Sequence, residues 1–418
     1  MKTLISNIKQ LLLTGEKPPK FVAGADMAQL ATLNDAYLII DDDRITDYGI
    51  MSELSETNFD KTIDASGSLV MPAFCDPHTH IVFPETREIE YIDKIKGLSY
   101  EEIAKRGGGI LNSARKIIEK SEDDLYESAM QRLHEIASYG TGAVEIKSGY
   151  GLTTEGELKM LRVIKRLKED SPLTIKANFL GAHAVPPEYK QNQGKYVDLI
   201  INEMIPAVAK ENLADYIDVF CDRGFFTIEE TERILKAGAK YGLVPKIHAN
   251  ELDYSGGIQT GVKHNALSVD HLEYTGDEEI AVLKDSGTMP TLLPGASFFL
   301  ELIYAPARKM INAGLPVAMA SDFNPGSSPS GNMQFILSLG SIKYRLLPEE
   351  GINAITQNAA YAMGVENELG TITKGKKANL IITKNIPNYE FLPYYYGANK
   401  VKQTIIEGKT IVNNEKNH

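Results

Sequence analysis

Two histidines separated by one residue, His78-Thr79-His80, follow the apolar run Leu69 to Cys75. In extended chain, residues i and i+2 point to the same side, so both imidazoles can reach one metal ion. Taken alone the triplet is weak, because such triplets arise by chance. It gains weight from two later apolar runs, which end in Ile247-His248-Ala249-Asn250-Glu251 and in Ala320-Ser321-Asp322. Three imidazoles and a carboxylate from three run ends, with a position left for water, match a catalytic ion rather than a closed structural one. The expected ligands are therefore His78, His80, His248 and Asp322. A second ion would need a bridging carboxylate or modified lysine from the fourth run, which ends in Phe220-Cys221-Asp222, so one ion is expected. Cys221 is a conceivable soft ligand, although a buried free thiol is the commoner outcome.

Further groups end neighbouring runs: Gly181-Ala182-His183, Asp270-His271 and Lys147-Ser148-Gly149-Tyr150-Gly151. A single buried histidine is usually just hydrogen-bonded, but two more at run ends beside a metal point towards substrate. Glu251, three residues after His248, is placed to move a proton between an activated water and a leaving nitrogen; its plainer use is to orient a ligand. Arg87 can clamp a substrate carboxylate in bidentate fashion, or simply lie on the surface. A metal-activated water attacks an sp² carbon, and imidazoles stabilise the oxyanion that develops, so hydrolysis of a C–N bond follows. No redox cofactor motif is visible. These residues by themselves leave a cyclic amide, an exocyclic amine and an ester all open.

What must position these groups is a set of eight apolar runs alternating with helical stretches, the pattern of a parallel sheet. The runs are Leu69 to Cys75, Ala143 to Lys147, Thr174 to Leu180, Tyr216 to Cys221, Val244 to His248, Ala266 to Asp270, Thr288 to Leu292 and Pro316 to Ala320. Helices are expected over Leu158 to Glu169 and Ile228 to Tyr241, with Gly242 and Gly314 at C-caps. Eight strands close a (β/α)8 TIM barrel, whose chemistry sits at the C-terminal strand ends. An open doubly wound sheet would want a Gly-rich phosphate loop after an early strand, and none is present. The segment Phe83 to Ser113 reads as a cover over the first strand's end; its Gly107-Gly108-Gly109 is a hinge or helix cap, or less simply an anion site. Both chain ends alternate apolar and polar positions, with a hairpin turn at Glu407-Gly408-Lys409. Neither end makes a stable sheet alone, so residues 1–68 and 365–418 are expected to combine into a small β-sandwich domain beside a 69–364 barrel.

The 418 residues, 43% of them hydrophobic, suffice for such a core. A net charge of -12 with no basic stretch argues against nucleic acid as partner. Two cysteines, Cys75 and Cys221, exclude a disulfide framework and suit a reducing compartment. Met1 to Thr14 is too polar and short for a signal core or membrane span. The expectation is a cytoplasmic enzyme of a small molecule, with no membrane partner and a homodimer as the natural assembly.

Several longer motifs carry a resemblance. They are Asp76-Pro77-His78-Thr79-His80, Arg106-Gly107-Gly108-Gly109-Ile110, Glu145 to Leu152, Phe179 to Glu188, Asp218 to Cys221, Lys246 to Ala249, Asp270 to Tyr274 and Asp322 to Pro329. In this order they resemble the amidohydrolase superfamily over nearly the whole chain, and within it the enzymes that open the imidazolone ring in histidine breakdown. The resemblance implies one zinc or iron ion on His78, His80, His248 and Asp322, and hydrolysis of 4-imidazolone-5-propanoate to N-formimidoyl-L-glutamate. It implies substrate contacts from Arg87, Tyr150, His183 and Glu251, and from Asn324, Gly326 and Ser327. Within that scheme His271 polarises the carbonyl while Glu251 or Asp322 relays the proton. Two departures stand out: Phe83-Pro84-Glu85-Thr86 where the family has glycines, and Asn250 in place of an aspartate. A related deaminase of guanine or cytosine, and a noncatalytic barrel serving as a scaffold, are the competing expectations.

Overall fold

The computed structural model describes residues 1–98 and 108–415. Its centre is a sheet of eight parallel strands: β6 (Phe74–Thr79), β7 (Thr141–Lys147), β8 (Thr174–Ala182), β9 (Tyr216–Cys221), β10 (Val244–Ala249), β11 (Ser268–His271), β12 (Met289–Leu292) and β13 (Ala318–Met319). They neighbour one another in sequence order, each joined to the next by a helical crossover. The ring closes between the first and last strand ends, where the Asp322 amide donates to His78 O at 3.0 Å and the His80 amide to Phe323 O at 2.9 Å. Every residue of β7 and β9 is buried, because a barrel strand is covered by helices outside and by its opposite strands within. The eight-strand barrel expected from the sequence is thus present.

Local signals set the helices around it. The helix Thr154–Asp170 is capped by the Thr153 hydroxyl, and Ile228–Ala239 begins with a reciprocal capping box between Thr227 and Glu230. Gly242 and Gly314 take left-handed φ values of 78° and 94° just beyond helix ends, where a side chain would be strained.

The chain termini build a second sheet from β1 (Lys2–Leu12), β2 (Thr32–Asp41), β3 (Arg44–Ile50), β4 (Lys61–Asp64), β5 (Leu69–Pro72), β14 (Leu380–Thr383), β15 (Val401–Ile406) and β16 (Lys409–Asn413). Its order is β16-β15-β14-β5-β1-β2-β3, with β4 also on β1. N- and C-terminal segments join through the antiparallel pair β14–β5. Ile5, Leu38, Val70, Leu380 and Ile405 share a core of their own there.

One expectation needs correction. The apolar run Leu69 to Cys75 is not a single barrel strand: Leu69–Pro72 pairs with β1 and β14 in the terminal sheet, and the barrel strand starts at Phe74. Between them the Ala73 amide bonds to Asn379 O and the Phe74 amide to Gly140 O, so the chain changes sheets within one peptide unit. Both sheets bury this segment, which leaves its composition uniform across the crossing. The eighth strand is likewise only two residues long, shorter than the Pro316 to Ala320 run.

Candidate active site

The C-terminal ends of the barrel strands bring the expected histidines together. Ring centroids lie 5.3 Å apart for His78 and His80, 4.5 Å for His78 and His248, and 5.3 Å for His248 and His271. His183 stacks on His80 at 5.2 Å, and Tyr150 lies 5.5 Å from His183. The ligand atoms of His78, His80 and Asp322 lie within 4.8 Å of one another, as do those of His78, His248 and His271. The four expected ligands therefore fall in two overlapping triads that share His78.

Donor chemistry fits a divalent ion. Nε2 of His78 and of His248 is buried without any hydrogen-bond partner, a costly state for a polar atom unless a ligand takes its lone pair. The opposite nitrogens are committed: His78 Nδ1 meets Asp270 Oδ2 at 2.6 Å, and His248 Nδ1 meets Asp218 Oδ1 at 3.0 Å. A carboxylate can only accept, so each Nδ1 carries the proton and each Nε2 is left as a lone pair. Burial and neighbouring cationic groups hold His78 and His80 well below the usual imidazole range, which keeps them neutral. Burial raises the Asp322 carboxyl to about 6. The thiol of Cys221 is buried, pushed up to about 11 by desolvation, and belongs to neither triad.

Around this cluster the proton-handling groups are also assembled. His271 Nδ1 lies 3.7 Å from Glu251 Oε2 and 3.9 Å from Glu273 Oε2. Burial, then the charges of Glu273, Asp322 and Asp222, push Glu251 well above the carboxylate range; burial pushes Glu273 up to about 8. His271 and Leu272 both hold left-handed backbone, φ 84° and 70°, an unusual pair that turns the chain sharply at the strand end. His183 donates from Nδ1 to Gly149 O at 2.9 Å, and burial lowers its pKa to about 3.

The loop after Asp322 is knitted by Asn324. Its side chain donates to Asp322 O and Ser327 Oγ, both at 2.7 Å, and accepts from the amides of Gly326 and Ser327 at 2.8 Å. Ser327 Oγ in turn donates to Asp322 Oδ2 at 3.1 Å. Arg87 reaches this loop: a Cβ at Gly326 would stand 2.4 Å from its Nη1. Its guanidinium also donates to Ser113 Oγ at 2.7 Å and lies 5.6 Å from the Tyr150 ring centroid. The segment before it is anchored despite its lack of glycines, because Arg132 packs 3.3 Å above the buried Phe83 ring and donates to the carbonyls of Ile81 and Phe83. Asn250 holds two loops together instead of touching the histidines, donating to Tyr274 O at 2.9 Å and accepting from Ser255 Oγ. Gly109 caps the helix Ile110–Glu119, its amide bound by Glu90 at 3.0 Å; Arg106 and Gly107 lie outside the described residues.

Several contributors carried no role in the sequence reading. Ser113 braces Arg87, and Glu157 gathers the amides of Gly149, Gly151 and Leu152 beneath Tyr150. Asp218, Asp270, Glu145, Lys147 and Lys246 lie under the histidines, fully buried. A charged residue inside an otherwise apolar barrel strand was the available signal.

This chain belongs to the amidohydrolase family, whose pattern its residues 69–411 match. The family implies a divalent metal and a hydrolase acting on a C–N bond. The chain is 56% identical over 411 residues to the imidazolonepropionase of Flavobacterium johnsoniae, covering 98% of this chain and 100% of that one. It is 54% identical over 411 residues to the imidazolonepropionase of Christiangramia forsetii, with the same coverage. Among solved structures, the 5-methylcytosine deaminase of Klebsiella pneumoniae superposes over 100% of this chain and 98% of that one, with a TM-score of 0.74 at 18% identity, a likeness of fold alone.

Proposed function

We propose that this chain opens the ring of 4-imidazolone-5-propanoate, giving N-formimidoyl-L-glutamate, the activity after which its relatives are named. The observation that carries the reading is Arg87 seated on Gly326, four residues beyond Asp322, which offers a propanoate carboxylate a guanidinium beside the histidine cluster. One zinc or iron ion is assigned to His78, His80, His248 and Asp322, whose nitrogen and oxygen donors suit either. When bound, the ion supplies Lewis acidity that brings the pKa of a water towards neutrality.

The chain's own groups do the rest. Arg87 pairs with the propanoate, Tyr150 and His183 flank the ring, and Asn324, Gly326 and Ser327 line the end where substrate and product acids rest. The water oxygen bonds to the ring carbonyl carbon, the bond from that carbon to the ring nitrogen breaks, and the nitrogen leaves with a proton. His271, held neutral by burial, donates to the developing oxyanion. Glu251, its carboxyl pushed up by burial and by the neighbouring carboxylates, takes the proton from the attacking water and passes it to the leaving nitrogen, with Asp322 the alternative relay.

The division into a terminal-sheet domain and a barrel is part of this proposal, with the expected boundary at residue 68 moved to Pro72 because Leu69–Pro72 lies in the terminal sheet, as are a cytoplasmic setting and a homodimer. Both thiols are buried and unpaired, in keeping with a reducing compartment, and no helix among the described residues is long and apolar enough to cross a membrane. The deciding assay follows loss of imidazolone absorbance by the protein loaded with zinc or iron. Absence of turnover with both ions sinks the substrate assignment, and ammonia release from cytosine or guanine in its place would make the chain a deaminase.

A further inference from the structure

Below the histidines the barrel interior is ionic. Lys147 donates to Glu145 Oε1 and to Asp218 Oδ2, both at 2.7 Å, and lies 3.6 Å from Asp270 Oδ2. Lys246 donates to the other oxygen of Glu145 and, at 3.0 Å, to the carbonyl of Pro77, the residue before His78. Asn178 adds bonds to Glu145 at 2.8 Å and to Asp218 at 3.1 Å. All six side chains are essentially inaccessible. Burying five charged groups is expensive and is often no more stabilising than an apolar core, so fold stability alone does not explain them. Their upper rim does: Asp218 and Asp270 are the two carboxylates that receive Nδ1–H of His248 and His78.

We infer that Lys147 and Lys246 are positioning residues for the metal centre, a two-lysine frame that aims Asp218 and Asp270 so that His248 and His78 present Nε2 to the ion. The inference rests on the metal reading above. Lys147 grips Asp218 directly, and both lysines grip Glu145, which fixes the distance between them. Without the frame, among the described residues, Asp218 keeps only Asn178 and Asp270 only Ser268 as braces, so the carboxylates can rotate, the rings can turn, and the Nδ1–H tautomer loses its preference. At formal charge the two ammonium groups and three carboxylates leave one negative charge in excess. Asp322 adds a second, which together match a single dication.

The test uses Lys147→Met, Lys246→Met and Asn178→Ala in the full chain, with folding checked by circular dichroism and thermal unfolding. Zinc affinity is read by competition with a chromophoric chelator, and imidazole tautomers by nitrogen NMR of the metal-free protein. The lysine variants should bind zinc roughly 10- to 100-fold more weakly. His78 and His248, each a single Nδ1–H form in the parent, should become tautomer mixtures. Asn178→Ala keeps every charge and should show the same changes to a smaller degree; it decides the matter if the lysine variants do not fold. Folded variants with parent affinity and unchanged tautomers overturn the inference alone. Parent protein that takes up no zinc overturns the metal reading and the inference with it.

Discussion

Gly326 and Arg87 approach so closely that a Cβ on residue 326 would stand 2.4 Å from Nη1 of the guanidinium. The glycine therefore makes room for the arginine, and the loop that follows Asp322 becomes the floor on which the proposed carboxylate clamp rests. Arg87→Ala should raise KM with little change in kcat, lowering kcat/KM by roughly 10- to 150-fold, the equivalent of a charge-assisted bond of about 1.5–3 kcal/mol. Gly326→Ala should reproduce part of that effect with Arg87 still present, because the guanidinium must move off the loop. Steady-state kinetics on both variants check this, and an unchanged KM in Arg87→Ala removes the residue from the substrate pocket.

Glu251 should separate chemistry from metal binding. Its carboxyl faces His271 and Glu273, and belongs to neither ligand triad. Replacement by Gln keeps shape and hydrogen bonding while removing the carboxylate that accepts and hands on the proton. Glu251→Gln should lose roughly 10²- to 10⁴-fold in kcat and keep its metal content. Elemental analysis alongside the kinetics distinguishes this from a structural role, for which metal and activity would fall together.

Much of this site was legible before any coordinates, and the part that was not has a physical reason. His78, His80, His183, His248 and Asp322 stand at strand ends, where an apolar run stops and polar chemistry begins, so position along the chain reveals them. The strand Tyr216–Cys221 matches its apolar run residue for residue, because both ends leave the barrel. The run Leu69 to Cys75 misled, because it is buried first in one sheet and then in another. Under the histidines, Glu145 with Lys147 and Lys246 with His248 repeat at i and i+2, the spacing of side chains sharing one face of a strand. That alternation was present in the sequence, but only the closed barrel shows that the shared face is interior. Ser113 carried no signal, since one serine on an amphipathic helix is ordinary until Arg87 is found against it.

Metal loading should weaken on acidification through the Asp322 carboxyl. His78 and His80 lie well below 6.5 in the folded chain, so neither has a proton to lose there. Asp322, raised to about 6 by burial, does. Binding must displace that proton below about pH 6, so the zinc dissociation constant should weaken about tenfold per pH unit on further acidification and level off above it. Competition titrations across pH 5 to 7 measure the slope. A dissociation constant that does not change between pH 5 and 6 would show that Asp322 holds no proton there and contradict its raised pKa.

The metal-free protein should have its stability optimum on the acid side of neutrality. His183 titrates at about 3 when folded against 6.5 when unfolded, and His78, His80 and His271 shift the same way. For such groups the unfolded chain binds more protons, so their stabilising share is complete above pH 6.5 and is lost as pH falls. The buried carboxyls work in the opposite sense. Asp76 is raised to about 7 and Glu273 to about 8 by burial, and Glu251 also rises. Their share is complete below the unfolded values near 4 and is lost as pH climbs through the folded ones. Between about 4.5 and 6.5 the two sets offset each other. Below that window the histidines are uncompensated, and above it the carboxyls are, each uncompensated proton changing stability by about 1.4 kcal/mol per pH unit. Chelator-treated protein should therefore melt highest between pH 5 and 6.5 and lose stability towards pH 8. Reloading with zinc should recover most at the alkaline end, where the ligands need shed no proton. A melting temperature that rises steadily from pH 5 to 8.5 without metal would show that the buried carboxyls do not hold their protons in the folded chain.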